Sequence, residues 1–284
     1  MKKQTIKNYK EIFNHSVYYI YKNIDTNITL EELAYENNIS KYHFHRIFKS
    51  EANDTLNNFI SSIRLQKAAN LLISNESSTI SDIYKQCGYS SHSSFTKSFK
   101  EKFNFTPKEW RKGKYLEHTK NILKDINIKD IDCEIDIVTK PNIKCAYIRH
   151  TGYNEKLKET WQFIRAIKAK YNLLKNNEIG LYHDNPSIVD KEKCHYVAAI
   201  QIDNNQKIEE LSSFIIPKSL CVNFKYEGKY GDILNAIRYI YQEWLKNSPY
   251  EATTLPSYVI YYKNHLIKKD DFKVEINIPI KVKV

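Results

Sequence analysis

The chain has 284 residues, with 44 Lys and Arg against 33 Asp and Glu and a formal net charge of +11. Its hydrophobic content of 42% supports packed cores and excludes a disordered basic tail, and no apolar run approaches the roughly 20 residues of a membrane span. The five cysteines are widely spread without C-x-x-C spacing, which excludes a zinc ribbon or a disulfide framework and predicts reduced, mostly buried thiols in a cytoplasmic protein.

The positive charge is concentrated in the first two-fifths of the chain. Residues 1–115 carry 18 basic and 11 acidic side chains, a net of +7, whereas residues 116–284 carry 26 and 22, a net of +4. This asymmetry favours a polyanionic partner for the first part. Lys-rich composition that follows from genome base bias is the alternative that charge alone leaves open.

Residues 27–49 predict two helices joined by a tight turn. Thr29 opens a capping box, Asn37 and Asn38 break the helical pattern, and Ser40 is a good N-cap for the next helix. The second helix has an inward face of Phe44, Ile47 and Phe48. Its outward stripe combines groups that suit a reader of the DNA major groove: Tyr42, His45, Arg46 and Lys49.

The same pattern returns about fifty residues later. Thr79 opens a second capping box, Gly88 supplies the positive φ that the turn needs, and Ser90 falls at the next cap position. Phe95 and Phe99 point inward in the second recognition helix. Its outward residues are His92, Ser93, Thr96, Lys97 and Lys100. Residues 60–73 predict one helix that bridges the two units.

These residues resemble the DNA-binding domain of the AraC/XylS family of transcription regulators. The matching motifs are Arg64-Leu65 with Ala68, Gly88-Tyr89, Phe95-x-Lys97-x-Phe99-Lys100 and Thr106-Pro107-x-x-Trp110-Arg111. The resemblance implies an all-α double helix-turn-helix domain over residues 1–113, whose two recognition helices enter successive major-groove segments of double-stranded DNA. It assigns base reading to Tyr42, His45 and Arg46 in the first helix and to His92, Ser93, Thr96 and Lys97 in the second.

Two details qualify this resemblance. Tyr84 stands where the family usually has Ala, so we expect its ring to widen the helix crossing or to swing toward solvent. His43 and His45 are two residues apart and lie on different faces of a helix. No metal site and no cofactor are therefore predicted.

Residues 114–129 are predicted as a linker, with a short helix as the alternative, and the chain changes to strand-like sequence at 130–284. Cys145 and Cys221, like Gly152 and Gly228, are separated by 76 residues, which indicates a repeat. Each half is predicted as strand, Gly turn, amphipathic helix and further strands, giving an α+β domain of two pseudo-repeated halves. The last segment, 272–284, alternates as a strand with one buried face does. The helices are expected to bury Leu157, Trp161, Ile164 and Ile167 in one half and Ile233, Leu234, Ile237, Tyr241, Trp244 and Leu245 in the other.

This second domain resembles the GyrI-like effector-binding domain. The motifs that carry the resemblance are Tyr147-x-Arg149-His150-x-Gly152, Tyr182-x-Asp184-Asn185-Pro186, Glu227-Gly228-x-Tyr230, Trp244-Leu245 and Ile278-Pro279-Ile280. The resemblance implies that amphipathic or cationic small molecules bind between the two helices, and the predicted effector is a small amphipathic or aromatic molecule. The candidate binding residues are Tyr147, Trp161, Tyr182, Glu227, Trp244 and Tyr261. Family members that bind cations commonly carry Glu at the position of Val259, so a preference for cations is not predicted. Two alternatives stay open for Glu227: it points inward as a substitute carboxylate, or it only caps the following turn.

Together these features predict a transcription regulator that binds DNA and senses a small molecule, and not an enzyme. A single chain already carries two readers, so we expect it to bind DNA as a monomer, and RNA polymerase is a further candidate partner. Two alternatives stay open for the second domain, a protein-interaction module and a small-molecule hydrolase. The sequence leaves open whether the chain activates or represses.

Overall fold

The structure is a computed structural model. It describes residues 3–120, 133–153, 156–185, 188–228, 233–262 and 272–283. Most of the predicted linker at 114–129 lies outside the described residues. The chain divides into two compact units, Met1–Ala68 with Thr79–Pro107 and Ala69–Ser78 with Lys108–Val284.

The first unit is helical. Its helices are α1 (Lys3–Lys22), α2 (Leu30–Glu36), α3 (Lys41–Ala52), α4 (Leu56–Ser74, whose last turns belong to the second unit), α5 (Ile80–Gln86) and α6 (His92–Phe103). The single bridging helix predicted at 60–73 is thus confirmed as α4. The pairs α2–α3 and α5–α6 are the two helix-turn-helix modules.

Local capping explains where these helices begin. The Thr29 and Thr79 side chains each accept a hydrogen bond, of 3.1 Å in both cases, from the backbone N–H three residues on, and both predicted capping boxes are complete. Gly88 has a φ of 77°, as its turn requires. The second recognition helix is capped by Ser91 rather than by Ser90, because α6 begins at His92 and Ser91 accepts from the Ser94 N–H.

Helix α1 was not predicted and completes the core of the first module. Phe13 packs against Phe48 of α3 with ring centroids 5.3 Å apart. The Tyr19 hydroxyl donates to Glu32 of α2 at 2.5 Å, a bond that raises the pKa of Tyr19 to about 12. The apolar spacing Phe13, Val17, Ile20 is the signal that could have identified this helix.

The second unit contains an antiparallel sheet. Its strands are β1 (Glu134–Lys140), β2 (Ile143–Thr151), β3 (Glu178–Tyr182), β4 (His195–Gln201), β5 (Ser212–Ile216), β6 (Ser219–Gly228), β7 (Tyr250–Ala252), β8 (Ser257–Tyr261) and β9 (Phe272–Val282). Among the described residues the strand order is β1-β6-β9-β8-β3-β4-β2-β5, with β7 beside β9. The short helices α7 (Pro107–Glu109) and α8 (Tyr115–Thr119) precede the sheet.

Three further helices complete the second unit. They are α9 (Lys156–Lys170), α10 (Ile233–Tyr239) and α11 (Leu245–Asn247), the last two joined by a π-helical turn over Ile240–Trp244. Helix α9 buries Leu157, Trp161, Ile164 and Ile167, as predicted. In the other half Ile233, Ile237, Tyr241 and Leu245 are buried and Trp244 is half-buried, whereas the side chain of Leu234 lies outside the described part. The α+β architecture is therefore confirmed.

Residues 274–280 of β9 are buried on both faces, so the expectation of one buried and one exposed face is wrong for this part of the strand. Glu275 and Asn277 are 6% and 0% exposed. Each is satisfied by polar partners: Lys140 donates to Glu275 at 2.5 Å, and Asn223 donates to Asn277 at 2.9 Å. The alternation in the sequence therefore separates apolar from hydrogen-bonded positions rather than buried from exposed ones.

Three further expectations concern thiols, membranes and metals. Cys87, Cys145, Cys194 and Cys221 are buried, as the sequence predicts. No helix in the described part of the chain is both long and apolar enough to cross a membrane. Across the same residues, no group of three or more His, Cys, Asp or Glu side chains is placed to hold a metal ion.

Candidate nucleic-acid interface and ligand site

The first recognition helix, α3, presents the predicted stripe to solvent. Phe44, Ile47 and Phe48 are at most 1% exposed and fix one side of the helix in the core. The exposed side carries a phenol, an imidazole, a guanidinium and an ammonium group, those of Tyr42, His45, Arg46 and Lys49. Tyr42 is 79% exposed, so most of its aromatic ring is open to solvent. The helix therefore offers hydrogen-bond donors and an aromatic face to a partner.

The second recognition helix, α6, presents a smaller and more polar surface. Phe95, Phe99 and Phe103 are buried, and His92, Ser93, Lys97 and Lys100 are exposed. Thr96 departs from the prediction, because it is half-buried and its Oγ1 is shielded from solvent, without a hydrogen-bond partner among the described residues. Its hydroxyl is thus not presented to a partner in this conformation, since residue 96 lies at the border of the buried Phe95 face.

Tyr84 is accommodated inside the second module. It is 8% exposed, so the expected swing toward solvent does not occur. Its ring lies 5.8 Å from that of Phe95 and 6.1 Å from that of His92, and Ser81 donates to its hydroxyl at 3.4 Å. The Tyr84 ring therefore packs against His92, the first residue of α6.

Arg64 ties α4 to the segment that leads into the first module. Its Nε donates to the Ile24 carbonyl at 3.0 Å and its Nη2 to the Thr26 carbonyl at 2.5 Å. Burial lowers the pKa of the Arg64 guanidinium. Gly88 lies against the same group, because a Cβ there would be 2.7 Å from Arg64 Cζ and 2.4 Å from the Ile24 oxygen. The turn of the second module and the entry to the first are thus fixed at one point.

The GyrI-resembling part of the second unit contains an aromatic cluster, which we call the tyrosine cluster. Its buried members are Trp161, Tyr182, Tyr196 and Tyr261, and Tyr153 is half-buried. The Tyr261 hydroxyl lies 3.0 Å from that of Tyr182 and 3.1 Å from that of Tyr196. Trp161 of α9 meets the Tyr261 ring edge-on at 5.4 Å. Tyr153 stacks on Tyr182 at 6.0 Å. Flat rings with polar tips are well suited to a flat ligand.

The strand register explains why these side chains meet. Tyr182 pairs with Tyr196, so both point to the same sheet face. A Cβ on Gly180 would be 2.2 Å from the Tyr196 hydroxyl oxygen, so only glycine leaves room for that ring. Val259 pairs with Gly180 and is 0% exposed. At this position the sheet therefore places an apolar side chain, and not a carboxylate, beside the tyrosine cluster.

A carboxylate does occur on the same sheet face, but its charge is compensated. Glu178 pairs with Tyr261 in the sheet register. Arg165 and Lys168 of α9 form ion pairs with Glu178 at 2.9 and 3.2 Å. Such a buried ion pair holds α9 on the sheet and leaves little negative charge for a ligand.

Only part of the predicted effector set is brought together. Trp161, Tyr182 and Tyr261 belong to the tyrosine cluster. Tyr147 pairs with Ala199 and therefore points to the opposite sheet face, where it contacts Phe214 at 4.8 Å. Trp244 packs on Phe224 at 5.4 Å and stacks on Tyr250 at 6.4 Å. The Glu227 side chain is 67% exposed and pairs with Lys273, so it does not replace the carboxylate missing at Val259.

Both the helical domain with the two recognition helices and the domain with the tyrosine cluster match known families. Residues 33–113 match a helix-turn-helix domain family. Residues 133–281, just over half of the chain, match the GyrI-like small molecule binding domain. The chain belongs to the AraC-type regulators with a GyrI-like domain.

Named transcription regulators are among the relatives of this AraC-type chain. The lactose operon transcription activator of Staphylococcus xylosus is 34% identical over 101 residues, which are 36% of this chain and 36% of that protein. PqrA of Proteus vulgaris, a probable transcription factor, is 36% identical over 92 residues, 32% of this chain and 75% of PqrA. The TetD protein of transposon Tn10 from Escherichia coli is 33% identical over 99 residues, 35% of this chain and 71% of TetD. The chain thus spans about a third of the length of the lactose operon activator.

Gly180 of the GyrI-like domain gives a direct test of the tyrosine cluster. We expect Gly180→Ala to displace the Tyr196 ring and to lower the free energy of unfolding by about 1–3 kcal/mol, as overpacking does. Gly228→Ala is a matched control, because its Cβ would be 2.1 Å from the Tyr226 hydroxyl oxygen, outside the cluster. Denaturant unfolding measures both stabilities, and near-ultraviolet circular dichroism measures the tyrosine environment. An aromatic signal that changes equally in both variants would contradict the assigned packing.

Proposed function

We propose that this chain is a one-component transcription regulator that reads double-stranded DNA with α3 and α6 and senses a small ligand with its GyrI-like domain. The observation that carries the DNA part is the pair of capped recognition helices with polar and cationic outer faces. Arg46 can donate two hydrogen bonds to guanine, and Lys97 can donate to bases or phosphates. The net charge of +7 on residues 1–115 supports the same partner.

The proposed site assignments follow the exposed faces. Base reading belongs to Tyr42, His45 and Arg46 in α3 and to His92, Ser93 and Lys97 in α6, with Lys49 at the groove edge. Thr96 would join them only if its hydroxyl rotated outward. Because one chain carries both recognition helices, binding as a monomer is part of the proposal, and so is a contact with RNA polymerase that makes the bound chain a regulator in the cytoplasm.

The proposed ligand is a flat, neutral or weakly amphipathic molecule. It would insert among the rings of the tyrosine cluster, with its polar atoms on the hydroxyls of Tyr182, Tyr196 and Tyr261. Two observations support neutrality: Val259 places an apolar side chain beside the cluster, and Glu178 is already paired with two cations. A permanent cation would be desolvated there without a partner charge. Binding without turnover is proposed, in keeping with relatives that are regulators.

Selection of bound sites from random DNA tests the DNA part. The full chain is expected to enrich one bipartite sequence, with binding that weakens steeply as salt rises. Recovery of no preferred sequence, with equal affinity for all duplexes, would refute sequence-specific regulation.

Calorimetry with two planar probes of similar size tests the ligand part. Coumarin is neutral, and N-methylquinolinium carries a permanent positive charge. We expect coumarin to bind the full chain more tightly, and we expect Trp161→Phe to weaken coumarin binding because it removes part of the stacking surface. Tighter binding of N-methylquinolinium would overturn the neutral-ligand proposal.

A further inference from the structure

The last turns of α4 and the loop after it lie between the two helix-turn-helix modules in the chain. Residues 69–78 belong to the unit that contains the GyrI-like domain. Trp110 Nε1 donates to the Ala69 carbonyl at 3.0 Å, and Lys246 pairs with Glu76 at 3.6 Å. The end of α4 is therefore held by residues that are distant in the sequence.

Asn75 makes the end of α4 a hydrogen-bonding neighbour of β7. The residue is 0% exposed. Its Nδ2 donates to the Ala252 carbonyl at 2.9 Å, and its Oδ1 accepts from the Ala252 N–H at 3.0 Å. The side-chain amide thus satisfies both backbone groups of one strand residue, as a neighbouring strand would.

Glu251, the residue before Ala252, binds Ser78 with both carboxylate oxygens. Oε1 accepts from the Ser78 N–H at 2.9 Å, and Oε2 accepts from the Ser78 hydroxyl at 2.6 Å. The carboxylate is only 3% exposed, and Lys281 lies 3.5 Å from it. A buried carboxylate is tolerated when it is hydrogen-bonded and paired in this way. Because both carboxylate oxygens of Glu251 accept hydrogen bonds from Ser78, the position of Ser78 is closely defined.

Ser78 directly precedes the second reader. Thr79 is the N-cap of α5, and its capping box with Asp82 fixes the first turn of that helix. Helix α5 in turn packs on α6 through Tyr84, whose ring contacts Phe95 and His92. The N-cap residue of α5 therefore follows directly in the chain after Ser78, the residue that the buried Glu251 carboxylate binds.

We infer that Glu251 is a positioning residue for the second DNA reader: through Ser78 it fixes the start of α5 and thereby the placement of α6 on DNA. Glu251 touches neither DNA nor the tyrosine cluster in this assignment. The inference rests on the proposed DNA-binding function, and it is independent of whether the GyrI-like domain binds a ligand.

The test uses the full chain and the DNA sequence that it selects. Base pairs are first assigned to each reader as those whose discrimination is lost in Arg46→Ala or in Lys97→Ala. Affinities of Glu251→Ala are then measured for duplexes with single base-pair changes. We expect about tenfold weaker binding to the full site, as expected when a buried acceptor pair is lost, with discrimination reduced only at the base pairs of α6.

Three variants sharpen this result. Glu251→Gln keeps a carbonyl acceptor for the Ser78 N–H and is expected to retain most of the discrimination. Ser78→Ala removes one of the two bonds and is expected to act in the same direction with a smaller effect, even if Glu251→Ala folds poorly. Glu227→Ala removes an exposed carboxylate from the same domain and is expected to have no effect.

Several outcomes would overturn the inference. If Glu251→Ala, or Ser78→Ala where the former does not fold, lowers discrimination equally at both readers or at neither, Glu251 does not position the second reader. If Glu227→Ala reproduces the effect, the cause is net charge. A different failure, in which the unaltered chain prefers no DNA sequence, refutes the proposed function itself and is recognised before any Glu251 variant is measured.

Discussion

Arg46→Ala is expected to weaken binding of the chain to its selected DNA sequence by about 1–3 kcal/mol, the usual worth of a guanidinium on a guanine edge. Arg46 is exposed on the outer stripe of α3, whose inner face is anchored by Phe44 and Phe48. The loss is therefore one of contact with DNA rather than of folding. Affinity for random duplexes should change little, and one base position should become degenerate in a repeated selection.

The control for this prediction removes the same charge elsewhere. Lys193→Ala, at an exposed position of the GyrI-like domain, should leave both specific and random binding nearly unchanged. Equal loss of affinity by Arg46→Ala on selected and random DNA would make Arg46 a phosphate contact.

Gly88→Ala is expected to destabilise the first unit by about 2 kcal/mol or more, because strain from positive φ adds to steric crowding. The backbone φ of Gly88 is 77°, and a Cβ would be 2.4 Å from the Ile24 carbonyl oxygen and 2.7 Å from Arg64. Relief of this clash requires that Arg64 leave the carbonyls of Ile24 and Thr26, so the entry to the first module loosens together with the turn of the second.

Substitution of Gly113 distinguishes the cost of backbone strain from the cost of steric crowding. Gly113 has a φ of 106°, and a Cβ there would meet nothing within 4 Å. Gly113→Ala should therefore cost only about 1 kcal/mol of strain. Thermal unfolding followed by helical circular dichroism measures both variants. Equal shifts of the unfolding midpoint would show that the contact between Gly88 and Arg64 contributes nothing.

The helix-turn-helix modules could be predicted closely because their signals are local. Thr29 and Thr79 are capping residues that act within three positions of themselves, and both behave as predicted. The error at Ser90 is a shift of one residue between two adjacent serines, either of which can cap a helix. Tyr84 could not be placed from the sequence, because its burial depends on the ring of Phe95 on another helix.

The proposed ligand site was harder to predict because strand register is a long-range property. Tyr147 and Tyr182 look alike in the sequence, but pairing with β4 sends them to opposite sheet faces. Tyr196 was missed for the same reason, since its role depends on pairing with Tyr182 and on the space left by Gly180. Glu227 was misplaced because its partner Lys273 lies on a strand that is distant in the sequence.

If one chain reads two separate DNA segments with α3 and α6, both segments are protected when it binds. Base-resolved hydroxyl-radical footprinting on the selected site measures this protection, with the unaltered chain, Arg46→Ala and Lys97→Ala side by side. We expect two protected segments about one helical turn (10–10.5 base pairs) apart on one DNA face, of which Arg46→Ala weakens one and Lys97→Ala the other. A single protected segment, or two segments lost together in both variants, would contradict this expectation.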